Sequence, residues 1–412
     1  MLPHPTDNEA DCRLCGATLR GAKLNLGPLP ASNRFSTSAG SPETHSLVVR
    51  GCERCGLVQL DRPPPPGFVV PRVPWIRYRE PEAHLDDVVE RLGKILSGWP
   101  GRAIGTGPFD APLTDRLMRQ GTVIAQLPPT APLRSSDGTM VYPYLESMQA
   151  GLEPAALRRA AERLGAADLV CCRYLLEHCH EPVAALAGLR ELASSAGALL
   201  VEVPDSAKFL ARLDYSFIWE EHVSYFTETT LRAVAARADL EIVELLRCEG
   251  TLEDALIAIL RPMTRPAIVG RDNGIDAEKA AFAEYAASFE PVRAAYQARL
   301  AGVVAAGGKV ALLGAGHQAV MFVNALGLQD YLSIVADDDP DKQGYYPAGL
   351  AVPIRPSSAI AADPAVTLCL LAVGPGAEAK VRAKLADFTG RGGVVESIFE
   401  KQDPQSTMAG TA

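Results

Sequence analysis

Two short cysteine motifs near the amino terminus constrain the fold of this chain more than any other feature. Cys12 and Cys15 form one Cys-x-x-Cys pair, Cys52 and Cys55 form a second, and a glycine directly follows each pair. Two thiolates at this spacing converge on one ion, and two such turns complete a tetrahedral zinc site with no open position. A redox function would need only one pair, normally at the start of a helix after a strand, so we predict structural zinc held by all four cysteines.

The length and charge of the chain narrow the class of protein. At 412 residues it has room for two or three domains. Its 40 basic and 49 acidic side chains give a net charge of −9, which argues against nucleic acid or anionic lipid as a partner. The apolar stretches are too short for a span of ~20 residues. We therefore expect a soluble cytoplasmic protein that acts on a small molecule, with its oligomeric state left open.

The pattern of apolar residues predicts an α/β fold after the cysteine segment. The proline run at 63–66 ends an amino-terminal unit near residue 68, because consecutive prolines continue neither helix nor sheet. Short strand-like and helical stretches then alternate, which favours a doubly wound, mostly parallel, Rossmann-like sheet. The predicted strands cover 102–105, 122–125, 168–172 and 198–203, and the predicted helices cover 81–96, 182–192 and 231–238. We predict a zinc-binding domain at 1–68 and this α/β domain at 69–262.

A third unit is predicted at 275–404. It begins with a long Ala- and Glu-rich helix over 275–305 and continues with strands at 309–313, 332–336 and 366–372. The first of these strands runs into Gly314-Ala315-Gly316, a turn that can cradle a phosphate at a helix amino terminus. Position 319 is Ala where the dinucleotide fingerprint has its third glycine, so a purely structural turn is the favoured interpretation. The unit is a second small Rossmann-like α/β layer.

The densest group of reactive side chains lies at residues 219–227. His222 stands next to Glu221 and near Tyr225, which is the pattern of a general base with an orienting partner. A buried histidine that only stabilises a loop explains the same residues equally well. A second group at 177–180 contains two histidines and a cysteine, but metal binding there is less favoured than a role for the free cysteines in the core.

Several of these motifs together resemble the three-part sugar C-methyltransferases, which act on nucleotide-linked 4-keto deoxysugars. The resemblance covers nearly the whole chain and rests on the two cysteine motifs with their glycines, on Leu176-Glu177-His178, on residues 221–226, and on residues 339–344 with Pro353-Ile354. It implies an amino-terminal zinc domain, a central domain that binds S-adenosylmethionine, and a carboxy-terminal Rossmann-like domain. It also implies a small-molecule keto substrate and a place in secondary-metabolite or surface-glycan biosynthesis.

The resemblance implies a mechanism as well. A 4-keto group acidifies the neighbouring carbon, a base removes its proton, and the resulting enolate attacks the methyl group of the donor. The family base falls on His222 with Glu221 beside it, and Tyr78 matches a further family tyrosine loosely. Trp219 stands where the family has another tyrosine. The candidate substrate-binding residues are Trp219, Tyr225, His317 and Lys342.

The donor-binding motif departs from the family pattern. Ala103 replaces an acid before the loop, Phe109 replaces the last glycine, and Gln126 replaces the acid expected on the donor ribose. The candidate donor-binding residues are Gly105, Gly107, Asp110, Gln126 and Tyr174. Two hypotheses follow: an active C-methyltransferase, which we favour, or a family member that has lost the donor and acts as an enolising epimerase or isomerase or as a non-catalytic partner.

Overall fold

The structure is a computed structural model that describes residues 10–73, 80–127, 152–263 and 274–400. Within these ranges, the strands form one four-stranded, one six-stranded and one five-stranded sheet together with a two-stranded ribbon. The two larger sheets contain parallel strands covered by helices, which confirms the predicted α/β class.

The amino-terminal sheet is antiparallel. The elements of this part are β1 (Lys23–Pro30), β2 (Phe35–Ser36), β3 (Thr44–Gly51), β4 (Val58–Leu60) and the short helix α1 (Pro66–Val69), of which β1, β3 and β4 belong to the sheet. Leu47 and Val49 of β3 are buried, which is the period-two burial of a strand with one covered face. Strand β4 pairs on its outer side with Ser224–Tyr225, a segment from the middle of the chain. The zinc-domain sheet is therefore completed by a strand that follows the candidate base in sequence.

The central sheet has the strand order β10-β11-β8-β7-β5-β6. Its strands and the short β9 are β5 (Arg102–Gly105), β6 (Val123–Gln126), β7 (Ala167–Arg173), β8 (Ala193–Asp205), β9 (Ser224–Tyr225), β10 (Leu240–Cys248) and β11 (Asp254–Pro262). The helices are α2 (Leu85–Ile95), α3 (Ala111–Arg119), α4 (Pro154–Leu164), α5 (Pro182–Arg190), α6 (Ala207–Arg212) and α7 (Glu228–Arg237).

Strands β6, β5, β7 and β8 are parallel, whereas β11 and β10 close the sheet as an antiparallel hairpin. Parallel neighbours need crossover connections, which the helices provide. The carboxyl ends of β5, β6 and β7 meet at one edge of the sheet, and open α/β sheets bind ligands at this edge. Gly105, Gln126 and Arg173 end these strands.

The carboxy-terminal sheet is parallel throughout, in the order β15-β13-β12-β16-β17. After helix α8 (Gly274–Ala305), its elements are β12 (Lys309–Leu313), α9 (His317–Leu326), β13 (Leu332–Ala336), β14 (Tyr346–Pro347), β15 (Ile354–Arg355), α10 (Ser358–Ala362), β16 (Val366–Leu371), α11 (Pro375–Lys384), α12 (Ala386–Gly390) and β17 (Val394–Ser397). Strand β14 lies outside this sheet and pairs with β2, so a two-stranded ribbon joins the amino-terminal and carboxy-terminal parts of the molecule.

Helix α8 connects the amino-terminal sheet, the carboxy-terminal sheet and the segment 209–218 after β8 through one hydrophobic core. Its buried side chains recur every three or four residues and include Phe282, Tyr285 and Phe289. Phe282 packs against Gly51, where a methyl group would approach the ring to 2.7 Å. Tyr285 exchanges hydrogen bonds with residues 214 and 215, since its hydroxyl donates to the carbonyl of Asp214 and its carbonyl accepts from the hydroxyl of Tyr215. Helix α8 thus holds residues 214 and 215, which precede the candidate base His222 in the sequence.

Among the described residues, no helix is both long and apolar enough to cross a membrane.

Candidate functional site

The four cysteines predicted as zinc ligands converge in the structure. The Sγ atoms of Cys12 and Cys55 lie 3.5 Å apart, as do those of Cys15 and Cys52, and all four atoms lie within 4.8 Å of one another. Tetrahedral Zn–S bonds of about 2.3 Å place the sulfurs of a zinc site about 3.8 Å apart. The donor set therefore fits one zinc ion, and its complete thiolate shell suits a structural role.

Each cysteine pair is built as a tight turn. In the first, the amide of Gly16 donates to the carbonyl of Cys12, and in the second, the amide of Gly56 donates to the carbonyl of Cys52, at 2.8 and 2.9 Å. Both glycines have positive φ angles, 67° and 76°, which other residues adopt at a cost. The glycine after each cysteine pair is thus required by the backbone conformation.

The segment from Trp219 to Tyr225 forms a rigid turn at the junction of the three parts of the molecule. The hydroxyl of Tyr225 accepts from the amide of Trp219 at 3.1 Å and donates to its carbonyl at 3.0 Å. The amide of Val223 donates to the carbonyl of Glu177, and the carbonyl of Val223 accepts from the amide of Leu60. Tyr225, a predicted substrate-binding residue, therefore uses its hydroxyl to hold this turn.

Glu220 joins side chains from the two ends of the chain. One of its carboxylate oxygens accepts from the amide and hydroxyl of Ser32, at 2.9 and 2.7 Å. The other lies 3.1 Å from Nε2 of His317, while Nδ1 of His317 lies 3.8 Å from Glu221. The ring of His317 also stacks on Trp219 with 4.0 Å between centroids. The structure therefore brings together Trp219, Glu221 and His317 and adds Ser32 and Glu220, which the sequence prediction did not assign.

His222 lies beside two other aromatic rings. Its imidazole packs edge to face with that of His178 at 4.9 Å between centroids and stacks on Trp219 at 5.3 Å. Burial, together with the nearby rings of His178 and His317, holds the pKa of His222 well below its usual value. Burial also lowers the pKa of His178 to about 4. His222 is therefore uncharged at neutral pH and available to accept a proton.

The glycine-rich loop after β5 is organised by Asp110. This fully buried carboxylate accepts from the amides of Thr106 at 2.6 Å, Gly107 at 2.8 Å and Arg173 at 2.9 Å. Burial raises its pKa to about 7 despite these hydrogen bonds. Asp110, predicted to bind the donor, thus shapes the loop. Gln126 lies against Gly105, where a methyl group would come within 2.5 Å of its amide oxygen.

A cleft of about 560 Å³ opens between the central and carboxy-terminal parts. Tyr174 and Trp219, both predicted site residues, line it. So do side chains that the sequence prediction missed, namely Glu80, His84, Phe217, Glu249, Glu253, Asp254 and Gln318. No motif marks these residues, because they come from loops and helix ends that are far apart in the sequence.

The cleft is acidic. Burial, and to a lesser degree the charge of Glu202, raises the pKa of Glu80 to about 7. Burial raises the pKa of Glu253 well above its usual value, and the neighbouring carboxylates add to the effect. A positively charged ligand would favour the ionised form of both groups. The cleft therefore suits a cation.

Two predicted site residues remain, Tyr78 and Lys342. Tyr78 is outside the described residues. Lys342 forms an ion pair of 2.8 Å with Asp337, whose carboxylate also accepts from the amide of Ala315 in the carboxy-terminal glycine turn. This internal use of Asp337 fits the structural interpretation of that turn. Of the five cysteines outside the zinc cluster, Cys248 is half-buried, and the buried ones are Cys171, Cys172, Cys179 and Cys369.

Three protein-family models match the chain, and they follow one another in the order predicted from the sequence. A zinc-binding domain model matches residues 12–67, a methyltransferase domain model matches 132–245, and a C-methyltransferase C-terminal domain model matches 270–396. The chain belongs to the zinc-containing C-methyltransferases. The methyltransferase is also similar to the C-methyltransferase NovU of Streptomyces niveus, with 25% identity over 362 residues that cover 84% of this chain and 85% of NovU.

Solved structures similar to this methyltransferase align over less than half of its length. The 1,6-didemethyltoxoflavin-N1-methyltransferase of Burkholderia thailandensis has 15% identity and a TM-score of 0.30, and the alignment covers 44% of this chain and 79% of that one. The N-methyltransferase NodS of Bradyrhizobium japonicum has 17% identity and a TM-score of 0.28, with coverages of 44% and 98%. At these scores the resemblance carries no functional conclusion.

Proposed function

We propose that this C-methyltransferase takes its methyl group from S-adenosylmethionine, held by the glycine-rich loop at the end of β5 and by the acidic cleft. When bound, that cofactor supplies a methyl group on a positively charged sulfur. The single observation that carries the proposal is the acidic cleft beside Trp219, since its carboxylates suit the sulfonium and ammonium charges of the donor. Gly105, Gly107, Gln126 and Tyr174 are the further residues proposed to hold it.

We propose a ketone as the acceptor, and a nucleotide-linked keto-deoxysugar as its class. In this mechanism, an α C–H bond of the ketone breaks, its proton goes to the imidazole of His222, and its electron pair moves to the carbonyl oxygen as an enolate. The uncharged state of His222 supports its role as the base. A carboxyl oxygen of Glu177 lies within 4.8 Å of a ring nitrogen of His222 and would favour the charge of the imidazolium that forms. The enolate is the carbon nucleophile that C-methylation requires.

The altered donor motif supports a second candidate function. Ala103 and Gln126 remove two carboxylates of the family pattern, and each lost charge-assisted hydrogen bond costs about 1.5–3 kcal/mol. Loss of both would weaken donor binding by roughly two to four powers of ten. The protein would then enolise and epimerise its substrate without methyl transfer.

Two measurements test these functions separately. Calorimetric titration with S-adenosylmethionine at millimolar concentration should show binding, and its absence would exclude the first function. Deuterium exchange at the α-carbon of a nucleotide-linked 4-keto-6-deoxyhexose, in D₂O without donor, should depend on His222 in either function. His222→Asn should abolish the exchange. His180→Gln, which changes an exposed histidine nearby, is the matched control and should retain it.

A further inference from the structure

His84 is the only basic side chain among the described residues that line the cleft. It directly precedes α2, and its imidazole is nearly buried, with 12% of the side chain exposed. The acidic residues of the same lining are Glu80, Glu249, Glu253 and Asp254. An anionic group entering this cleft would face these four acidic side chains and one basic side chain. His84 is the one lining residue that can donate a hydrogen bond as a cation.

A buried network holds His84 in place. Its Nε2 lies 2.9 Å from one carboxylate oxygen of Glu202, a residue of β8 with no exposed surface. The other oxygen of Glu202 is paired with Nε of Arg173, which is itself only 1% exposed. Removing either partner of a buried ion pair leaves an uncompensated charge. The ring of His84 is thus oriented by a group that cannot move freely.

The same network reaches the glycine-rich loop. The guanidinium of Arg173 donates to the carbonyl of Phe109 in the loop and, at 3.0 Å, to the carbonyl of Pro81 in the segment before His84. One buried arginine therefore fixes the loop and the His84 segment relative to each other. With Nε2 of His84 2.9 Å from Glu202, Nδ1 is the second ring nitrogen and the atom left for a ligand. An imidazolium donates from both ring nitrogens, so it can serve Glu202 and a ligand at once.

We propose that His84, positioned by Glu202, binds the α-carboxylate at the methionine end of the methyl donor. This inference rests on the proposed use of S-adenosylmethionine. That molecule carries two positive charges, which suit the acidic wall, and one carboxylate, which does not. His84 gives this carboxylate a cationic partner inside the acidic cleft. The site then distinguishes the donor from a cation that lacks the carboxylate.

Calorimetric titration of two ligands tests this assignment. The wild-type protein should bind S-adenosylmethionine at least about tenfold more tightly than decarboxylated S-adenosylmethionine, because a charge-assisted hydrogen bond contributes at this level. His84→Gln should reduce this preference to about twofold or less while leaving the affinity for the decarboxylated ligand nearly unchanged. Glu202→Gln should also reduce the preference, and it should weaken the binding of both ligands in addition, because Glu202 pairs with Arg173 as well as with His84. His180→Gln is the control and should behave as wild type.

Three results would overturn the inference. Equal weakening of both ligands by His84→Gln would mean that His84 only supports the fold. An unchanged preference in that variant would mean that another group binds the carboxylate. No binding of either ligand by the wild type would overturn the proposed donor together with the inference. Thermal unfolding of each variant, measured alongside, shows whether a lost preference accompanies an intact fold.

Discussion

At the scale of single residues, burial determines the protonation state of the site residues more strongly than their neighbours in the sequence do. His222 is uncharged because it is packed between His178 and Trp219, so its protonated form loses solvation. The carboxyl group of Glu80 has a pKa raised to about 7, mainly because it is buried. His222 can therefore gain a proton, and Glu80 can lose one, when a ligand enters the site.

The pH dependence of proton exchange should report the state of His222. A base works in its unprotonated form, and the pKa of His222 is well below 6.5. The rate of α-deuterium exchange, measured without donor, should therefore stay constant from pH 8 down to 6.5 and fall only at lower pH. A midpoint at or above pH 6.5 would exclude His222 as the base. Measurement without donor separates this effect from any titration of the donor site.

Donor affinity should respond to pH in a different range. Burial, and to a lesser degree the charge of Glu202, raises the pKa of Glu80 to about 7, and only the ionised form attracts a cation. The affinity for S-adenosylmethionine should therefore increase as the pH rises from 6 to 8, by up to about tenfold per unit below the pKa. In Glu80→Gln this dependence should be lost. Glu90→Gln, an exposed change on α2, should retain it, and a flat wild-type profile would contradict the prediction.

At the scale of elements, α8 and the turn before β9 are tied together by aromatic packing. Phe209, Tyr215 and Tyr285 form ring contacts of 4.5–6.0 Å between centroids, and Phe289 adds a further contact to Tyr215. The sequence predicts a helix over 275–305, and the structure has it at Gly274–Ala305. The periodicity of α8 is visible in the sequence. The sequence does not show which surface the aromatic face of this helix covers.

Truncation of this aromatic face should destabilise the protein strongly. Phe282→Ala removes a ring that is 1% exposed and packed on Gly51, so the free energy of unfolding should fall by about 3–5 kcal/mol. Glu284→Ala changes an exposed position two residues away and should alter it by no more than about 0.5 kcal/mol. Denaturant titration measures both values. A small effect of Phe282→Ala would show that the contact with β3 contributes little.

At the scale of the whole molecule, the zinc domain directly contacts the elements that form the proposed catalytic centre. Strand β4, which follows the second cysteine pair, pairs with β9 directly after His222, and Ser32 hydrogen-bonds to Glu220. The ribbon of β2 and β14 joins the zinc domain to the carboxy-terminal part of the molecule. Loss of the metal should therefore affect chemistry at a distance from the ion.

Removal of one zinc ligand should test this connection. Cys12→Ser should lose the metal, as measured by elemental analysis of the purified protein, since structural zinc contributes folding energy of about 10 kcal/mol. Proton exchange should fall at least tenfold, because the turn that carries His222 loses the support of β4. Cys248→Ser, outside the cluster, should keep one zinc per chain and full exchange. Unchanged exchange in a zinc-free Cys12→Ser protein would show that the two sites are independent.

The sequence by itself determined the features that depend on short-range order. The glycine turns of the two cysteine pairs, the strand that ends at Gly105 and the long helix α8 all follow from the residue types within a few positions. Only the tertiary structure decided which groups share the site. Ser32, Glu220 and His317 meet across the whole chain, and Glu80, His84 and Glu253 line one cleft from separate elements. No local periodicity encodes these contacts, because the packing of elements that are far apart in the sequence creates them.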